Sequence, residues 1–320
     1  MSGQIERVEL SDGESSVRLL SIGCVTQDWQ VPHEGAFVPA VLGYDDPESY
    51  RANPAYLGAI VGRVANRIAN ARFELDGQVY QLDANEGPHH LHGGPGALSH
   101  RFWQVERDGS RAARFTLHST HGDGGYPGAV DFAVTISLSG NSLTYDMRAT
   151  PDRPTPINLA QHNYYALTGG PIHDQHLRLS AATYTPTGPD MIPSGEVAGV
   201  EGTAMDFRTS RALRDSITRG GLDHNYVLAP TDGPVATLDA GLSLEVQTDQ
   251  PGLQVYSATH LPDHATPLPG QTHAPFHALC LEPQGYPNAL NTPGFPSIIA
   301  TPDQPYQQKT TIRVFSRNGA

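Results

Sequence analysis

Cysteine is nearly missing from this chain, and so is any long hydrophobic run. The two cysteines, Cys24 and Cys280, cannot build a disulfide framework, and each lies in an apolar run that suits a small buried thiol. No stretch approaches the roughly 18 apolar residues that a membrane helix needs. The first residues, Met1 to Arg7, carry no basic patch followed by an apolar segment, so no signal peptide and a cytoplasmic location are expected. Positive charge is scarce as well. Twenty Lys and Arg face 33 Asp and Glu, a formal net charge of -13, which argues against a nucleic acid or an anionic membrane as partner. A neutral small molecule is untouched by that argument. Helical periodicity shows only in short pieces, around Pro47–Arg51 and Arg211–Thr218, and no repeat, linker or composition shift divides the chain. One domain over residues 1–320 is expected.

Chain-breakers and alternation are what the sequence has in quantity. With 33 Gly and 27 Pro the chain must turn often, which favours short strands over long helices. Phe73 and Leu75 alternate with polar residues up to Asp76-Gly77, a strong hairpin signal, and Val79 resumes the pattern. Val130, Phe132, Val134, Ile136 and Leu138 lead into Ser139-Gly140-Asn141-Ser142, after which Leu143, Tyr145 and Met147 follow, predicting two facing strands. Leu177-Leu179, Leu242-Leu244-Val246, Leu253-Val255 and Ile312-Val314 repeat the theme. The fold class predicted is all-β, a large antiparallel β-sandwich.

Loops of unusual chemistry separate these strands. Gly62-Arg63-Val64-Ala65-Asn66-Arg67-Ile68 offers planar amide and guanidinium groups that suit adjacent hydroxyls, although a surface arginine loop would read the same way. In His89-His90-Leu91-His92-Gly93-Gly94 the glycines allow a ligand or another backbone to come close. Three near-adjacent histidines invite a metal reading. Strand alternation, however, puts His90 and His92 on one face and His89 on the other, so further ligands would have to come from elsewhere, and no metal is expected.

The segment from Pro154 to Tyr165 sets His162 among polar and aromatic residues, where imidazole can move protons and aromatic faces can stack on a sugar ring. A core histidine bonded to a carbonyl is the plainer alternative. Asp223 follows the Gly220-Gly221 pair and either accepts from hydroxyls or closes a turn. Ile172-His173-Asp174-Gln175-His176 precedes a strand and reads as a solvated turn. Last comes His277 to Asn291, an apolar run that arrives at Glu282 and is broken by Pro283, Gly285 and Asn288. A carboxylate at the end of a buried strand must be paired, protonated or used. Even positions Ala278, Cys280, Glu282 and Gln284 share one face and Leu279 and Leu281 the other, with pairing expected to stop at Pro283-Gln284-Gly285.

In this order the pieces resemble the aldose 1-epimerase (galactose mutarotase) family over nearly the whole chain. Asn66-Arg67-Ile68, Leu91-His92-Gly93-Gly94, Thr155-Pro156-Ile157-Asn158-Leu159 with His162, Ile192-Pro193-Ser194-Gly195 with Asp206-Phe207-Arg208, Gly221 with Asp223-His224, and Leu281-Glu282 with Gln284, Pro287-Asn288-Ala289 and Asn291 carry the match. The resemblance implies a β-sandwich whose concave face holds a free aldose such as galactose or glucose, and an isomerase of carbohydrate metabolism that interconverts its anomers. It also implies Glu282 as general base, His162 as general acid and His92 as a second histidine at the reacting centre. Asn66, Arg67, Asp223 and Gln254 would hold sugar hydroxyls. No cofactor and no metal are implied, and a monomer or homodimer is expected. Gln161-His162-Asn163-Tyr164-Tyr165 stands where the family often has Asn-His-Ser-Tyr-Phe, and Pro283-Gln284 where it usually has Thr-Gln.

Carboxylate and imidazole on opposite sides of C1 suffice to open a hemiacetal ring. Burial is expected to raise the Glu282 pKa, and the nearby carboxylate to keep His162 protonated near neutrality. A related pentose remains an alternative substrate. A phosphosugar epimerase would need a basic clamp, for which Arg63, Arg67 and Arg72 are candidates. A non-catalytic sugar-binding module would keep the hydroxyl contacts but has no use for a buried Glu–His pair.

Overall fold

A computed structural model describes residues 3–263 and 266–316. Every ladder between its strands is antiparallel. A nine-stranded sheet runs in the order Gln104–Asp108, Ala112–Ser119, Val130–Ser139, Ser142–Pro151, Tyr306–Ser316, Leu242–Thr248, Ala236–Ala240, His176–Leu179 and Arg211–Ala212. A six-stranded sheet runs Tyr164–Tyr165, Leu279–Gln284, Gly252–Tyr256, Asp223–Val227, Thr183–Thr185 and Ala198–Gly199, and four strands between Arg7 and Pro39 form a third sheet. No helix of the described residues is long and apolar enough to cross a membrane.

The predicted hairpins form as read. Arg72–Leu75 and Gln78–Gln81 pair around Asp76 and Gly77, both at positive φ (52° and 75°), the backbone that a two-residue I′ turn demands. Ser139 faces Ser142 across Gly140-Asn141, and Val130, Phe132, Val134, Ile136 and Leu138 are all buried on one side of the strand. Pro47–Arg51 is a short helix capped by the Asp46 carboxylate. Arg211–Thr218 is only partly helical, because Arg211–Ala212 pairs with His176–Leu177 as an edge strand and the helix is confined to Arg214–Ile217. Ile172–Asp174 forms one tight turn before its strand, as expected, but Ile172 itself is buried.

Strict alternation decides where the chemistry goes. Leu253, Val255, Leu279 and Leu281 pack in one large core with Tyr145, Met147, Leu244, Val246, Ile312 and Val314 of the nine-stranded sheet. The alternate residues face the other way: Ala278 and Cys280 pack with Tyr44, Tyr50 and Tyr164 in a second cluster. The register then sets Asn225 beside Gln254 and Gln254 beside Glu282, a row of three polar side chains on one buried face. Burying that row is costly unless something satisfies it. The Glu282 strand ends at Gln284, within the expected break, although Pro283 itself stays in the ladder. Pro283 pairs with Leu253 and Gln284 with Gly252, so regular structure runs two residues past the carboxylate.

Candidate active site

Seven side chains singled out in the sequence come from six separate segments, and six of them line one cavity of about 300 Å³: Asn66, Arg67, His92, His162, Asp223 and Glu282. Gln254 is absent from its wall. Its Nε2 donates to Asp223 Oδ1 at 2.6 Å, so it sits behind the aspartate and orients it.

Glu282 and His162 face each other at the cavity floor. Both are nearly inaccessible (2% and 4% exposed), and His162 Nε2 lies 3.7 Å from Glu282 Oε1. That is close enough for a strong mutual influence but too long for a direct hydrogen bond. Glu282 Oε2 has no hydrogen-bond partner among the described residues. The His162 ring stacks on Tyr164 (centroids 5.1 Å apart, planes 26°), and Tyr164 in turn donates its hydroxyl to Ala55 O at 3.0 Å. Nδ1 of His162 is 3.8 Å from Cys280 Sγ.

Burial pushes the Glu282 carboxyl well above its ordinary range, a shift that Asp223 reinforces and Arg67 opposes. The expectation for Glu282 holds in direction. The one for His162 does not: burial pulls its pKa down to about 4 by desolvating the imidazolium. Burial thus favours the protonated form of Glu282 and the neutral form of His162. Moving the proton from Glu282 to His162 gives the carboxylate–imidazolium form without any change in the proton count.

His92 owes its position to a left-handed backbone. Its φ of 52° turns the chain out of the His90–Leu91 strand, and Asn66, also left-handed, meets it: the Asn66 N–H donates to His92 Nδ1 (3.1 Å) and the His92 N–H to Asn66 O (3.0 Å). With Nδ1 an acceptor and burial, then His162, holding the ring neutral, the hydrogen is on Nε2. His92 is therefore a neutral donor, set edge-on to His162 at 5.3 Å. The same turn overturns the expectation that His90 and His92 share a face. His90 is bonded to Asp83 O (2.6 Å) and Tyr126 Oη (2.8 Å), and His89 accepts from the Asn70 N–H. The three histidines diverge and make no common metal site. Gly93 is needed for a close backbone approach, not for a ligand: a Cβ there would stand 1.8 Å from Gly62 O.

Arg67 spans the upper wall. Its Nε and Nη2 bind both oxygens of Glu86 at 2.6 and 2.8 Å, and its Nη1 lies 4.0 Å from Asp223 Oδ2. Burial raises the Asp223 pKa against the pull of Arg67. Arg67 is the only Lys or Arg on the cavity wall among the described residues. Arg63 is buried elsewhere, donating to Ser119 Oγ and to the carbonyls of Thr120, Pro127 and Gly128, and Arg72 is exposed on the Arg72–Leu75 hairpin strand. Sequence reasoning missed Glu86, which lies in a polar loop with no motif around it. It also passed over Tyr256 and His260, whose N–H donates to Tyr256 Oη at 2.8 Å.

An antiparallel sandwich with a buried carboxyl–imidazole pair lining a polar cavity is an architecture suited to acid–base isomerisation of a sugar. The chain belongs to the aldose 1-epimerase family, whose sequence model matches residues 6–313. It is 36% identical to the galactose mutarotase of Sus scrofa, over 98% of this chain and 95% of that one. It is 34% identical to the aldose 1-epimerase of Escherichia coli over 88% and 86%. Among solved structures it superposes on an aldose epimerase homologue from C. elegans with a TM-score of 0.94 (28% identity, 98% and 99% covered). A galactose 1-epimerase from Lactobacillus acidophilus gives 0.84 (25% identity, 98% and 99% covered).

Proposed function

We propose that this protein interconverts the α and β anomers of a free aldohexose such as galactose or glucose, with Glu282 as general base and His162 as general acid. The observation that carries the reading is the 3.7 Å separation of His162 Nε2 and Glu282 Oε1 at the cavity floor. The C1 hydroxyl and the ring oxygen are bonded to the same carbon, so two groups this close can address both at once.

In the reacting form the carboxylate takes the proton of the C1 hydroxyl. The O1 electrons make the C1=O1 bond, the C1–O5 pair leaves to O5, and His162 Nε2 delivers its proton there. Rotation about C1–C2 presents the other carbonyl face, and the steps run backwards through the same two groups. His92 Nε2–H supplies a neutral donor beside the reacting atoms. Each positioned proton transfer is worth about 10²–10⁴-fold. Arg67, Asp223 and Asn66 line the same cavity and are suited to the remaining sugar hydroxyls, with Gln254 steadying Asp223. Residues 1–320 act as one domain in this reading, of which residues 1–2, 264–265 and 317–320 lie outside the described ones. It would work in the cytoplasm as a monomer or homodimer, without cofactor or metal.

A phosphosugar substrate is disfavoured because the one arginine on the wall is already neutralised by Glu86. A mere binding module is disfavoured by the cost of burying Glu282 and His162 side by side. Polarimetry on freshly dissolved α-anomers of hexoses, pentoses and 6-phosphohexoses, with and without a chelator, tests the proposal. Equilibration of free hexoses well above the spontaneous rate is expected, unchanged by chelation and weak for the phosphosugars. A rate that never exceeds the spontaneous one refutes it.

A further inference from the structure

Among the described residues no strand pairs with one edge of the Glu282 strand at the level of the acid–base pair. Gly252–Tyr256 pairs with it as far as Gln284, but on the opposite edge Tyr164–Tyr165 reaches only Leu279 and Cys280. Alternate residues of a ladder turn their N–H and C=O to opposite edges. Leu281, Pro283 and Gly285 therefore face the uncovered edge, which is also why a proline, with no N–H to lose, is tolerated within the strand.

Three buried side-chain amides take the place of the missing strand. Gln161 Nε2 donates to Leu281 O (3.1 Å) and Gln308 Nε2 to Pro283 O (2.9 Å). Asn158 bonds both ways with Gly285, donating to its carbonyl at 3.1 Å and accepting from its N–H at 2.7 Å. Of these, Gln161 occupies a special place. It precedes His162 in the chain, and the carbonyl it holds belongs to the residue preceding Glu282. The His162 backbone is otherwise bonded to Gly58 and Ala59, not to the glutamate strand.

We propose that Gln161 is a positioning residue for the reaction: its amide stitches the acid's segment to the base's strand one residue away from each, and so sets their separation. The proposal rests on the reading of Glu282 and His162 as the catalytic pair.

The test compares Gln161→Met, which keeps the length and loses the donor, with Asn158→Ala, which removes two hydrogen bonds farther along the same edge. Glu282→Gln serves as a control on the pair. Anomer equilibration gives kcat and KM across pH, and thermal melts give Tm. For Gln161→Met, kcat is expected to fall on the order of 10²-fold, as displacement of a catalytic group by about 1 Å does. KM should stay within about twofold and both limbs of the pH profile should shift, because the coupling within the pair depends on its spacing. Asn158→Ala should lose more Tm and less kcat. If Gln161→Met does not fold, Gln161→Leu, which likewise lacks the donor, is expected to show the same loss of kcat at unchanged KM. A lowered Tm with kcat and pH profile unchanged in the Gln161 variant overturns the proposal alone. Full activity in Glu282→Gln overturns it together with the reading beneath it.

Discussion

Replacing Glu282 by glutamine separates what the carboxyl does for the reaction from what it costs the fold. The amide has nearly the same shape, and Leu279 and Leu281, which anchor the strand on its core face, are untouched. Loss of one positioned proton transfer should slow anomer interconversion by about 10²–10⁴-fold, or roughly 3–5 kcal/mol of barrier. Stability should move the other way. Burial raises the Glu282 pKa in the folded state above its ordinary 4.5. Stability linked to such a group is complete below the unfolded-state value and drains away as pH rises through the folded-state value. Glutamine has nothing to ionise, so the variant should gain Tm relative to the parent as pH is raised. Polarimetry on a pure α-anomer reads the first effect, and thermal melts between about pH 5 and about pH 9 read the second. Residual activity above about a tenth of the parent's, well outside the range for a lost general base, would refute the catalytic reasoning. A parent that gains on the variant as pH rises would refute the electrostatic reasoning.

His162→Asn reports the opposite limb. A histidine held at about 4 instead of 6.5 contributes stability that is present above 6.5 and lost as pH falls toward 4. The parent should therefore lose up to about 3 kcal/mol on acidification that the variant keeps, as denaturant titrations at several pH values would reveal; equal acid sensitivity in both proteins would count against it. Glu86→Gln should loosen the Arg67 fork, so KM is expected to rise roughly tenfold with kcat within about twofold. A fall in kcat at constant KM in that variant would place Arg67 at the reacting centre instead.

The sheets were legible because a period of two leaves little freedom: Val130–Ser139 could bury Phe132 and Ile136 only by facing a partner, and Gly140-Asn141 supplied the turn. The same arithmetic put Glu282 and Cys280 on one face and the leucines on the other. It failed where the backbone leaves regular geometry. His92 departs from His90 because of a single positive φ, and no residue type announces that for a histidine. Pro283 reads as a strand breaker until it is known that its missing N–H falls on an edge with no strand beside it. Arg63 and Arg67 are chemically alike in sequence, yet one supports loops around Pro127 and the other faces the cavity. Glu86 carried no signal at all, since a carboxylate in a polar loop is ordinary until an arginine is seen gripping it. The protonation of His162 was misjudged because depth of burial is not written in local sequence.

The division of the Leu279–Gln284 strand into two faces also gives anyone redesigning this protein a natural handle. Both amide atoms of Gln284 and the Asn225 Oδ1 are buried without a partner among the described residues, on the same side as Glu282. Polar groups in that condition hold little of the fold in place, whereas the leucines one residue away hold much of it. A library confined to positions 225 and 284 would thus vary the polar layer behind the cavity while leaving the leucine face untouched. Changes there should cost little stability, and equivalent changes at 253, 279 or 281 should mostly yield protein that does not fold.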